Sequence, residues 1–141
     1  MSYIVHDRKV PLMPWEIEVT KVYDVWFEDQ PINVQDAILA HLKALAVEGP
    51  NLGRPYCDTL YGTRSGKLKE LRVQIGGDPF RVLFAFDSER CAILLLGGNK
   101  RGNKRWYDIH IPKAESLFDA WEAQRRRRRA AAAAQAKLRK P

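Results

Sequence analysis

The residues best suited to chemistry in this 141-residue chain stand between positions 64 and 107. Residues 64–105 hold ten Lys and Arg against four Asp and Glu, a net charge of +6. The whole chain carries +7, yet eight of its 24 Lys and Arg fall in residues 125–141, which hold no acid, so residues 1–124 come to −1. A neutral body with its cations gathered in one region marks a local anion site. Arg72 and Arg81 sit in alternating strand-like segments, KELRVQI and FRVLFAF, whose period of two sets both on one surface. Lys100, Arg101, Lys104 and Arg105 follow in GGNKRGNKR, just ahead of Trp106 and Tyr107.

Three consecutive strands have to position these groups. Leu71, Val73 and Ile75 share one face of the first, and Glu70, Arg72 and Gln74 the other. Gly76-Gly77-Asp78 turns the chain into the second, where Phe80, Val82, Phe84 and Phe86 point away from Arg81, Leu83 and Ala85. Asp87-Ser88-Glu89 turns it again into Cys91–Leu96, an unbroken apolar run typical of a strand buried on both faces. Gly97-Gly98-Asn99 is expected to break that strand and open a basic loop.

Upstream, WEIEVT (residues 15–20) alternates as a short strand, and Thr20 suits a helix N-cap. Val22, Val25, Trp26 and Asp29 outline a first helix ending near Pro31. Val34, Ile38, Leu42 and Leu45 outline a second, stopped by Gly49-Pro50. Residues 51–66 read as a loop that packs Leu52, Tyr56 and Leu60. Downstream, Pro112 fits the first turn of a closing helix whose stripe is Ala114, Leu117, Phe118 and Trp121. The expected organisation is an N-terminal arm over residues 1–14, a domain over 15–124 and a basic Arg/Ala-rich tail over 125–141. Nothing apolar in the tail can dock it, so it is expected to be frayed or solvated.

Several chemistries find no support. Cys57 and Cys91 lack metal-ligand spacing and a companion histidine cluster, so no metal, cofactor or disulfide framework is proposed, and a reduced cytoplasm is the simplest setting. No apolar run is long enough to cross a bilayer. Gly97-Gly98 lacks the spacing of a phosphate-binding loop. His6, His41 and His110 do not converge by any spacing, which argues against a two-histidine ribonuclease. His110, close to Tyr107, reads as a general acid or as a capping or surface histidine.

The order strand, helical hairpin, three antiparallel strands and closing helix, with the motifs KELRV, FRVLFAF, ILLLGGNKR and a following Tyr107, resembles the RelE/HigB superfamily of bacterial type II toxins, nearer its HigB or phage Gp49-like branch. The resemblance spans residues 15–124. It implies an α+β fold in which an N-terminal strand and helical hairpin pack on a small, mainly antiparallel sheet with a closing C-terminal helix. It also implies a ribosome-dependent mRNA endoribonuclease acting in the ribosomal A site and neutralised by a cognate antitoxin, usually a helix-turn-helix protein. By the same resemblance Arg81 matches the strand arginine that faces the scissile phosphate, and Arg101 and Tyr107 match an arginine and tyrosine six positions apart. Glu70-Leu71-Arg72 matches the branch's ELR triplet. Lys67 and Lys69 depart by one position from the alternating lysines of some members.

Metal-independent RNA cleavage uses the substrate's 2′-hydroxyl as nucleophile. It needs an acceptor for that proton, cations on the phosphate and a donor for the leaving oxygen. An arginine fork matches two phosphate oxygens, so Arg81, Arg72 and Arg101 take the middle task, and Tyr107 orients the 2′-hydroxyl or stacks on a base. Lys67, Lys69, Lys100, Lys104 and Arg105 are the RNA-binding candidates. Lys69, Lys100 and Glu70 remain open as proton carriers. Each cation also has an ordinary reading: Arg72 can pair with Glu70 or another strand's acid, and a basic turn can be a solvated one. Two rival functions stand beside the ribonuclease. One is a ParE-like gyrase-poisoning toxin on the same fold; the other is a non-enzymatic nucleic-acid-binding protein that relies on the arginine tail.

Overall fold

The computed structural model describes residues 14–139. The expected N-terminal arm, apart from Pro14, and His6 within it lie outside the described residues. In chain order the elements are β1 (Glu16–Val19), α1 (Lys21–Glu28), α2 (Ile32–Glu48), β2 (Cys57–Thr59), β3 (Lys69–Ile75), β4 (Asp78–Phe86), β5 (Cys91–Asn99) and α3 (Trp106–Leu138). A short 3-10 turn, Gly49–Asn51, follows α2. The strands form one five-stranded sheet in the order β1-β5-β4-β3-β2, antiparallel except for the parallel β1–β5 pair. The expected α+β architecture is the one observed.

Hydrophobic alternation splits the core into two layers. Leu71, Val73, Val82, Phe84 and Leu94 face α1 and α2, where they meet Tyr23, Val34, Ile38 and Leu45. Leu68, Leu83, Ala85, Ile93 and Leu95 face the other way and meet Trp106, Ala114 and Phe118 of α3. Every residue of Cys91–Leu96 is buried, as the apolar run predicts. Each fully buried Leu, Ile or Phe contributes roughly 1.5–3 kcal/mol, so both helical layers are needed to hold β5 in the middle. Thr20 ties α1 to that strand. Its hydroxyl accepts the Tyr23 N–H at 3.1 Å and donates to the Leu95 carbonyl at 2.6 Å.

Four local expectations are corrected. The segment read as a loop over residues 51–66 contains β2, an edge strand that pairs Cys57 with Leu71 and Thr59 with Lys69; three residues are too few to show a period. The buried face of α1 is Tyr23, Trp26 and Phe27, while Val22 and Val25 are 46% and 53% exposed, because the larger aromatic rings cover more sheet. Helix α3 begins at Trp106, so Pro112 stands inside it; Pro112 and Asp108, whose carbonyl the proline leaves without its helical partner, are both exposed. The residues expected to form a frayed tail continue the same helix to Leu138. Alanine's helix propensity carries it, and Arg125 secures it. The Arg125 guanidinium reaches Asp87 at 2.6 Å, Glu89 at 2.9 Å and Glu18 at 3.1 Å.

A fifth correction bears directly on the site. Gly97-Gly98-Asn99 does not break β5 but belongs to it. The β4–β5 ladder slips by one residue beside Leu83, which pairs with Leu96, and Phe84, which pairs with Leu94, so Leu95 is the extra residue of a bulge. Past the bulge Gly97 lies opposite Val82 and Gly98 opposite Arg81. The Trp26 ring of α1 covers Gly97 so closely that a Cβ there would overlap it. On the other face a Cβ at Gly98 would come within 2.8 Å of Trp106 Nε1. Two aromatic lids therefore press on adjacent residues of one strand from opposite sides. Gly97→Ala and Gly98→Ala should each lower stability by about 1–3 kcal/mol through overpacking, read as a drop in the denaturant midpoint. Gly53→Ala, where a Cβ would meet nothing within 4 Å, should leave the midpoint nearly unchanged.

Candidate active site

On the α3 face of the sheet, beyond the end of the apolar layer, the β3–β4 register sets Arg72 directly opposite Arg81. Two guanidinium groups side by side on neighbouring strands repel each other. Between them lies the carboxylate of Glu70, only 2% exposed and two positions from Arg72 on the same face. It accepts from Arg72 Nε at 2.9 Å and lies 3.5 Å from Arg81 Nε. The Tyr107 hydroxyl donates at 2.6 Å to Oε1, the oxygen nearest Arg81, while Arg72 holds Oε2. The position of Tyr107 follows from that of Trp106. Because Trp106 is buried against Gly98, the first turn of α3 starts above the sheet and the next side chain hangs over Glu70.

The two arginines are not equivalent. Arg72 also donates to Asp58 at 3.1 Å, so its guanidinium already faces two carboxylates. Its pKa lies above the ordinary arginine value: burial opposes the charge, but the hydrogen bond to Glu70 and the fields of Glu70 and Asp58 outweigh it. Arg81 spends Nη1 on the Phe80 carbonyl at 3.0 Å, whereas its buried Nε has no hydrogen-bond acceptor among the described residues. A guanidinium whose side chain is 12% exposed and whose Nε lies 3.5 Å from one carboxylate is less fully matched than Arg72, and a charged fork of this kind suits an oxyanion. The Tyr107 pKa is raised, first by burial and then by the hydrogen bond to Glu70 and its charge, against the opposing pull of Arg81. The phenol is held protonated.

The structure brings together Arg72, Arg81 and Tyr107, and adds Lys100, whose Nζ lies 5.7 Å from the Tyr107 ring centroid. The remaining sequence candidates lie apart from this cluster. Arg101 pairs with Asp78 at 3.0 Å and is 68% exposed, at the turn end of the β3–β4 hairpin. It does not reach in from the loop as expected, because β5 runs on to Asn99 before the chain turns. Lys69 donates to Thr59 on β2 at 3.1 Å, on the strand position opposite Phe84 and so on the other face. Lys67 lies over the Phe118 ring and 3.8 Å from Glu122 of α3. Arg105 pairs with Asp108 at 3.8 Å, and Lys104 is exposed. His110 stacks on Trp106 at 4.3 Å and donates from Nδ1 to the Trp106 carbonyl at 2.8 Å, a structural use rather than a place over the cluster. Glu70 is the centre that sequence reading left as one proton carrier among three; its signal was the two-residue spacing to Arg72.

One further cluster has metal-ligand chemistry. Ligand atoms of Glu16, Glu18 and Cys91 lie within 4.8 Å of one another. The Cys91 thiol, pushed up to about 12 chiefly by burial and then by Glu18, donates to the Glu18 carboxylate at 3.0 Å, and Arg125 donates to the same oxygen. A protonated thiol and a guanidinium on one carboxylate do not make a cation site.

Residues 25–119 match the family described as "Phage derived protein Gp49-like (DUF891)". The chain belongs to this Gp49-like family, within the RelE/HigB superfamily of type II toxins. The Mycobacterium tuberculosis protein named toxin HigB3 is 43% identical over 99 residues, which cover 70% of this chain and 85% of that protein. HigB2 of the same organism is 38% identical over 112 residues, 78% of this chain and 55% of that longer protein. Among solved structures, a mutant of the Escherichia coli toxin RelE in the free state superposes with a TM-score of 0.50 at 11% identity, over 65% of this chain and 90% of that one, a likeness of fold. In this Gp49-like toxin the family match ends at residue 119, ahead of the long basic end of α3.

In Glu70→Gln the strongest local support for a neutral phenol disappears while Arg81, which favours phenolate, stays. The Tyr107 pKa should therefore fall. The wild-type protein should show two tyrosines ionising above the ordinary value of 10.0, Tyr23, raised chiefly by burial, and Tyr107; Tyr107 is the one lost in Tyr107→Phe, and an unchanged ultraviolet titration of that tyrosine in Glu70→Gln would contradict the coupling.

Proposed function

We propose that this toxin is a ribosome-dependent mRNA endoribonuclease that works in the cytoplasm and is held inactive by a cognate protein antitoxin. The observation that carries the reading is Arg81, a mostly buried guanidinium 3.5 Å from the Glu70 carboxylate, which also accepts from the Tyr107 hydroxyl. The toxin names of its relatives support the same class. The resemblance to type II toxins supplies the antitoxin as partner.

In the reaction the RNA 2′-hydroxyl oxygen attacks phosphorus, the bond from phosphorus to the 5′-oxygen breaks, and the leaving oxygen gains a proton. The products are a 2′,3′-cyclic phosphate and a free 5′-hydroxyl. Charge builds on the non-bridging oxygens, where Arg81 and the less free Arg72 stabilise it. The gain is large because Arg81 is preorganised in a half-dry site. Tyr107, whose one proton is donated to Glu70, orients the 2′-hydroxyl by accepting from it through the phenol oxygen, or stacks on the neighbouring base. Glu70 keeps the hydroxyl and both guanidinium groups aligned and is the nearest proton acceptor. Lys100 adds positive potential over Tyr107, and the exposed Arg101, Lys104 and Arg105 extend it along the substrate's path.

The Arg81→Ala/Tyr107→Phe double variant tests this. Removing one preorganised donor costs on the order of 100-fold or more in rate, so growth arrest and new RNA 5′ ends within open reading frames should disappear while the thermal transition shows a folded protein. A folded double variant that arrested growth as strongly as wild type would overturn the site. DNA damage without new RNA ends would point instead to gyrase as the target.

A further inference from the structure

We infer that the C-terminal part of α3 is a sequence-independent RNA-binding arm, separate from the candidate active site, that holds phosphodiester backbone through Arg126, Arg127, Arg128 and Lys137. The inference deepens the ribonuclease reading and rests on it for the choice of RNA.

Three observations carry it. First, the arm is preorganised. Arg125 is clamped by Glu18, Asp87 and Glu89, and Arg129 pairs with Glu89, so the helix leaves the body in a defined direction. The alanines at 130–134 continue it at 1.5 Å per residue, so the ten residues past Arg129 project by roughly 15 Å. Cations held on such a helix lose less conformational freedom on binding than cations on a coil.

Second, the arm's charge is not neutralised from within. Residues 125–139 contain no acid. Of the acids on the body near its base, Glu18, Asp87 and Glu89 are engaged by Arg125 and Arg129 and Glu122 by Lys67, while Glu16, which lines the same groove as Arg128, forms no ion pair with it. Arg126, Arg127 and Arg128 are exposed and form no ion pair among the described residues, and Lys137 is exposed beyond them. Successive residues on a helix turn by 100°, so these side chains fan around the shaft and suit a polyanion more than a single anion pocket.

Third, the arm lacks what a membrane surface would require. A helix lying in a bilayer interface has a face of Trp, Phe or Leu opposite its cations. Here the uncharged positions are alanine and glutamine, with Leu138 the one large apolar residue past Trp121. Phosphate charge alone is the recognisable feature. Tyr107 precedes Arg127 by some twenty residues, about 30 Å along the helix, so the arm touches backbone distant from the scissile bond. It acts on affinity and leaves the chemical step alone.

The test compares two full-length proteins, both carrying Tyr107→Phe to spare the RNA: one otherwise unchanged, the other with Arg126→Gln, Arg127→Gln, Arg128→Gln and Lys137→Gln. Glutamine keeps the helix propensity, and far-ultraviolet circular dichroism should show equal helicity. Binding of a short single-stranded RNA of arbitrary sequence is followed by fluorescence anisotropy between about 50 and 200 mM salt. The quadruple change should weaken binding at least tenfold at the lower salt. It should also flatten the slope of log K against log salt by about 0.7 for each phosphate that the variant no longer neutralises. Equal affinities and slopes in the two proteins would overturn the inference, as would tight binding to phosphatidylserine vesicles with none to RNA. The ribonuclease reading fails differently, through undiminished toxicity of Arg81→Ala/Tyr107→Phe, and that result leaves the arm's salt-dependent RNA binding in place.

Discussion

The structure depends on one close approach repeated on the two sides of a single strand. Gly97 admits Trp26 from one layer and Gly98 admits Trp106 from the other, and no side chain at either position leaves room for the rings. Those two seats tie the helical hairpin and α3 to the sheet at one level. They stand next to Arg81, which pairs with Gly98 in the ladder. The seat of Trp106 starts α3, and the start of α3 delivers Tyr107. A packing constraint thereby becomes the geometry of a polar site.

The polar site resolves an electrostatic conflict. Arg72 and Arg81 face each other across two strands, and Glu70, Asp58 and the Tyr107 hydroxyl are arranged so that the pair can exist half-buried. Breaking a buried ion pair by removing one partner costs several kcal/mol, because the remaining charge is left uncompensated. Compensation is uneven, however. Arg72 is well matched by carboxylates, whereas Arg81 Nε lies 3.5 Å from Glu70 and makes no hydrogen bond among the described residues. That imbalance is expensive as structure, and the ribonuclease proposed above would use the same guanidinium on an arriving phosphate. The ordinary reading of Arg72 as an ion-pair partner of Glu70 is therefore correct.

The other end of α3 follows different physics. One half-buried arginine, Arg125, collects three carboxylates and converts a basic stretch into an ordered helix. The acids that hold it come from β1 and the β4–β5 turn, so the body and its extension are joined by charge where no apolar surface is available. Past that clamp the cations face solvent, and ordering without neutralisation is what gives the arm its potential.

Much was legible in the sequence because it is local. Period-two alternation placed Arg72 and Arg81 on one face, the apolar run marked β5 as central, and Val34, Ile38 and Leu45 marked the inner side of α2, all through contacts that repeat every few residues. A three-residue strand such as β2, the start of α3 six residues before its proline, and the inner face of α1 carry too little period to be read that way. The sequence by itself determined the elements, their order and the sign of the charge. Only the tertiary structure decided which cations meet. Strand register, the bulge at Leu95 and the burial of Trp106 are settled by contacts between residues far apart in the chain, and these bring Tyr107 to Glu70 while sending Arg101 to Asp78 and Lys69 to the opposite face.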